Sequence, residues 1–196
     1  MPTTAETKQA APVETLSPQE MGKRSFDLMT GMVNNLAATP EFTTALAQAF
    51  FRRQGSIHTS GNDLGSVYFQ KGAFAYLVDW TSTRFEPRSH GQPEPRDMIR
   101  SGLTVTKYDP REEIDGWSKK VATISFSSDF LEGEDGEILR FTGGCVSLEA
   151  DYDLESSWET PSSWRTAEPT TKSEGSEAID KSPEFFADIT PAPVKP

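Results

Sequence analysis

Two histidines, His58 and His90, are the ordinary bases that 196 residues offer to a nucleophile, and Cys145 is the single thiol. A serine or cysteine nucleophile needs such a base, ordinarily a histidine. No Gly-x-Ser-x-Gly elbow presents a serine. Cys145 follows Gly143-Gly144 at the start of an alternating run. A free cysteine placed there reads first as a small buried residue. His58 sits in the segment Gly55–Gly65, which crowds His, Asn62, Asp63 and several hydroxyls together. Paired with Asp63, or with Asp79 on an aromatic-rich run, His58 would make an acid–base couple for neutral pH. Tyr76 would then orient a carbonyl. These residues define one reading, a small pocket enzyme of the isomerase, dehydratase or cyclase kind. The plainer reading is a polar loop with its histidine in solvent.

Metal and nucleotide chemistry find less. His-x-x-x-His, His-Glu-x-x-His and Cys-x-x-Cys are absent from the sequence. The acidic group Asp129, Glu132, Glu134, Asp135 and Glu137 lacks the alternation and the central glycine of a calcium loop. With Asp135-Gly136 inside it, it reads as a solvated hairpin tip. Gly61, Gly65 and Gly72 form no phosphate loop. No metal and no cofactor is expected.

The stretch Thr81–Ser101 carries Arg84, Arg88, Arg96 and Arg100 near Trp80 and Phe85, and Pro87, Pro93 and Pro95 keep it from being one helix. Four arginines beside aromatics suit an anion, or a single strand of nucleic acid tracked by stacking and charge. The alternative is pairing with carboxylates of the same chain, each pair contributing about 0–1 kcal/mol. Charge favours that alternative. Acidic residues outnumber basic ones 30 to 19, for a net charge of −11. The imbalance is one-sided: residues 1–108 hold 11 basic and 10 acidic groups, residues 109–196 hold 8 and 20. A general nucleic-acid adhesive is basic instead.

Trp158, Trp164, Phe185 and Phe186 lie in a closing stretch rich in Pro, Ser, Thr and acid. Aromatic groups are out of place in a solvated linker. Here they read as anchors for a protein partner, since a few aromatic side chains dominate most interfaces.

These residues need elements to position them. Hydrophobic content is 35%, below the roughly 45–50% of ordinary globular chains, so a folded body with polar tails is expected. No apolar run approaches the length of a membrane span, and the N-terminal stretch has no secretory pattern. An intracellular, soluble protein is the expectation. Residues 1–16 read as a disordered arm, 17–155 as the domain and 156–196 as the tail. Ser17-Pro18-Gln19-Glu20 is a capping box. Behind it Met21, Ser25, Leu28, Met29, Met32 and Leu36 recur at helical spacing over about 18–37. Thr39-Pro40-Glu41 starts a second helix with Phe42, Leu46 and Ala49 on one stripe, which Gly55 should end.

Beyond it the period shortens to that of strands. Ser66–Lys71, Ala73–Trp80, Leu103–Tyr108, Val121–Ser127, Ile138–Thr142 and Cys145–Asp153 alternate, with Phe74, Tyr76, Val78 and Trp80 on one face of the second. The fold class that follows is α+β: two N-terminal helices on a curved antiparallel sheet of five or six strands. The helix-helix-sheet order resembles, in layout alone, the cone-shaped pocket folds of the nuclear-transport-factor-2-like kind, and layout implies no activity. Three functions are then ranked. First is a non-catalytic binding or accessory module that recruits a protein partner through its acidic, aromatic-bearing tail. A pocket enzyme built on His58 is second and a single-strand nucleic-acid binder third.

Overall fold

Ser17 opens helix α1 (Pro18–Ala37) with the reciprocal cap its sequence announces, in a computed structural model that describes residues 16–53, 63–85, 98–114, 117–152 and 169–189. The Glu20 amide donates to Ser17 Oγ at 3.3 Å, and the Ser17 amide donates to the Glu20 carboxylate at 2.9 Å. Two otherwise unpaired helix-end donors are satisfied. Gly22, Ser25, Met29, Met32 and Leu36 form the buried stripe. The helix stops just before Thr39, whose hydroxyl donates back to the Asn35 carbonyl at 2.9 Å, and Pro40 begins α2 (Pro40–Arg53).

Six strands follow: β1 (Asp63–Lys71), β2 (Phe74–Phe85), β3 (Met98–Ile114), β4 (Trp117–Glu132), β5 (Ile138–Tyr152) and β6 (Pro169–Glu174). They pair antiparallel in the order β1-β2-β3-β4-β5-β6, so each strand lies beside its neighbour in sequence. Gly72-Ala73 turns β1 into β2, with Gly72 at φ +62°. The β4–β5 hairpin turns through Gly136 at φ +79°, in the acidic tip expected there.

One face of the sheet is the core. Rows run across the strands through Val67, Val78, Val105, Ile124 and Leu148, and through Phe69, Tyr76, Lys107, Ala122 and Ala150. The two helices and a third, α3 (Ser176–Phe186), bury their apolar stripes against these rows. Each fully buried large apolar side chain contributes about 1.5–3 kcal/mol. α1 sits closest over β4 and β5 because small residues meet there. Ser25 Oγ donates to the Cys145 carbonyl at 3.0 Å and Ser128 Oγ to the Gly22 carbonyl at 2.8 Å. A Cβ on Gly144 would lie 2.7 Å from the Gly22 Cα.

Several expectations change. The connection Thr81–Ser101 is shorter than its prolines suggest, because Thr81–Phe85 and Met98–Ser101 pair as strand. Ile138–Thr142 and Cys145–Asp153 are one strand, since Gly143-Gly144 continues the ladder beneath α1. Cys145 is exposed rather than buried: Val146 and Leu148 take the core face, and alternation turns Cys145 away. The largest correction is to the tail, for Pro169–Glu174 and Ser176–Phe186 are β6 and α3. Their apolar groups are few but concentrated: Ala178, Phe186 and Ile189 are all buried in the core.

Candidate functional site

α1, α2 and the adjoining ends of β2 and β3 enclose an apolar groove of about 410 Å³. Met29, Val33 and Leu36 of α1 form one wall, Phe42 and Leu46 of α2 another, and Val78, Trp80 and Leu103 the floor. The wall on α1 exists because Val33 and Ala37 follow at helical spacing beside Met29 and Leu36 of the buried stripe. Val33 is 45% exposed and Leu46 37%, so the groove opens to solvent between the helices. The polar groups of the lining are those of Thr30, Thr81 and Ser101. No ionisable side chain lines it.

The residues expected to do acid–base chemistry are not gathered here. Tyr76 is on the core face and fully buried, and its hydroxyl donates to the Asp188 carboxylate. Burial first, and then Asp188, hold that phenol well above the ordinary tyrosine range. Asp79 is three residues along the same strand and therefore on the opposite face, where it pairs in register with Ser66 and Thr104. Tyr76 and Asp79 cannot share a substrate from opposite faces of one sheet. Asp63 begins β1, its side chain outside the described residues, and His58 lies outside them as well.

Arg84 and Arg100 do not form one anion site. Arg84 pairs in register with Ile99 on the core face and binds the Glu132 carboxylate. Arg100, on the far face, holds Asp129 through Nε at 2.7 Å and a second nitrogen at 2.8 Å. A two-pronged guanidinium–carboxylate pair occupies the fork an external anion would use. Arg88 and Arg96 lie outside the described residues.

Of the four aromatic anchors expected in the tail, Phe186 is fully buried and Phe185 packs partly buried against the same core. These two pack against their own domain. Trp158 and Trp164 fall outside the described residues. Sequence reading also missed Lys107, which is 7% exposed on the core face. Its ammonium donates to the Phe185 carbonyl at 2.7 Å, lies 3.5 Å from Asp188 and sits 4.0 Å above the Phe74 ring. The signal was present, since Lys107 continues the parity of Leu103 and Val105. Its partner could not be inferred from a segment read as tail.

Among the described residues no three His, Cys, Asp or Glu side chains cluster as a metal site, and no helix is long and apolar enough to cross a membrane. No family model, curated protein or solved structure matches the chain.

Proposed function

We propose that the chain is a non-catalytic binding module that recruits a protein partner by accepting an apolar side chain of that partner in the α1–α2 groove. The observation carrying this reading is the groove itself, with exposed Val33 and Leu46 at its mouth and no acid or base in its lining. Catalysis by proton transfer needs a titratable group within reach of the reacting atom. Recognition of an apolar anchor needs only a desolvated, well-shaped pocket. A drug-sized small molecule is usually 70–90% enclosed and oriented by several convergent polar groups. An open trough between two helices suits a partner's side chains better, in the manner of anchors set into a groove. Trp158 and Trp164 are proposed as a second contact, which leaves the tail a share in recruitment. Arg84 and Arg100 are engaged with carboxylates on opposite faces, which ranks nucleic acid lower.

Selection of random displayed peptides against the full chain tests this. Enriched sequences should carry aromatic or large aliphatic residues at a fixed position and should compete with one another. Enrichment of charged sequences that ignore Val33→Glu would remove the groove from the account.

A further inference from the structure

β1 lies at one end of the sheet and has only β2 beside it among the described residues. A two-residue hairpin makes the residues flanking its turn a hydrogen-bonded pair, here Lys71 with Phe74. Counting back by twos, Lys71, Phe69 and Val67 direct their amides and carbonyls to β2. Ser66, Tyr68 and Gln70 direct theirs to the free edge. α2 packs on the core face of β1, where the Phe42 and Phe69 rings meet edge to face at 5.5 Å, and an open trough lined by Pro40, Glu41, Thr44, Gln48 and Gln70 runs between the helix and the strand.

Free edges are normally guarded by proline, by charge or by shortness. β6, at the other end, has all three: Pro169, Lys172 with Glu174, and only 6 residues. From Gly65 to Gln70 β1 has neither proline nor charge, and Tyr68 is 53% exposed at its centre. The irregularity between Asp63 and Gly65 lies before this span, whose register with β2 is continuous.

We infer that the β1 edge is an interface for a second copy of this chain, pairing antiparallel about a two-fold axis at Tyr68. In that register Tyr68 meets Tyr68 of the second copy, Ser66 meets Gln70 and Val67 meets Phe69. Every residue with groups directed outward then faces another such residue, and apolar core-face residues meet apolar ones. Lys71, the one charge between Gly65 and Lys71, falls opposite Gly65 and meets no like charge. Charge distribution favours this edge over the β6 edge for meeting a copy of the same chain. The half carrying 20 acidic and 8 basic residues includes β4, β5, β6 and α3, so pairing through β1 brings together the edges distant from the acidic strands.

Sedimentation of the full chain, with crosslinking at one introduced cysteine, tests the pairing. Wild type should sediment at twice the 21.6 kDa chain mass. Tyr68→Pro removes only an outward amide, a position where an edge strand tolerates proline. It should halve the mass and keep the circular dichroism of the fold. Tyr68→Lys, which keeps the amide but opposes two charges, should also be monomeric. With Cys145→Ser in place, Tyr68→Cys should crosslink through a short bis-maleimide and Lys172→Cys should not, since hydrogen-bonded partners stand about 5.5 Å apart at Cα. A monomeric wild type, a dimer that survives both Tyr68→Pro and Tyr68→Lys, or crosslinking at Lys172→Cys alone would overturn the inference.

Discussion

Tyr76 donates its hydroxyl hydrogen to Asp188, a residue 112 positions later in the chain. The same aspartate lies 3.5 Å from Lys107, and Lys71 donates to its backbone carbonyl at 2.7 Å. Strands β1, β2 and β3 thereby each hold the turn that follows α3. Lys107 also donates to the Phe185 carbonyl, where a cation complements the negative end of the helix. Tyr76→Phe should therefore lower stability by about 1–2 kcal/mol, measured by denaturant unfolding, since it removes a hydrogen bond to a partly exposed carboxylate.

The same phenol fixes the sign of an alkaline effect. Tyr76 is raised in the folded state, first by burial and then by Asp188, from an ordinary value of 10.0. Its contribution is whole below pH 10 and is lost as pH rises above it, because only the unfolded chain ionises there. The stability gap between wild type and Tyr76→Phe should narrow above pH 10. A constant gap would remove the protonated hydroxyl as its source.

Phe186→Ala should cost about 3–5 kcal/mol, the range for a fully buried phenylalanine, whereas Phe185→Ala should cost less. Thermal or denaturant unfolding of the two variants decides the point. Equal, small effects would return both rings to the role of partner anchors.

This contrast shows where the sequence was legible. The Ser17 cap, the stripe through Met29, Met32 and Leu36, and the alternation of Tyr76 with Val78 and of Val146 with Leu148 are local patterns. Each is written within one turn or one strand, and the helices and sheet follow from them. Asp188 is fixed instead by distant partners on β2 and β3, and Phe186 by burial in the core. A segment dense in proline and acid gives no local sign of those partners. The groove was half legible. Leu46 was on the expected stripe, but Val33 sits beside the stripe of α1 and acquires meaning only when α2 and Trp80 are placed next to it.

Gly22→Ala separates helix propensity from packing. In an exposed helix the change would stabilise by roughly 0.5–1 kcal/mol. Here the new methyl would overlap the Gly143 carbonyl, and backbone cannot turn aside as a side chain can. The variant should be less stable by about 1–3 kcal/mol, the usual cost of overpacking. A rise in melting temperature would mean that α1 does not lie on Gly143 and Gly144.

Asp109 supplies an acid-side effect. Side-chain and backbone hydrogen bonds with Arg111 lower its carboxyl from 3.8 to about 2. The contribution is present above pH 3.8 and is lost as pH falls toward 2. Asp109→Asn should be less stable than wild type at neutral pH, with the difference shrinking through that window. Melting curves of both proteins across acid pH check this.

The claim that the α1–α2 groove receives a partner's apolar side chain is tested most directly by titrating one selected peptide against two variants. Val33→Glu places a charge at the groove mouth, and Asp79→Asn changes the opposite face of the sheet. The expected result is affinity weakened at least tenfold by Val33→Glu, equal to about 1.4 kcal/mol, and unchanged by Asp79→Asn. Affinity indifferent to Val33→Glu in a folded variant would contradict the account.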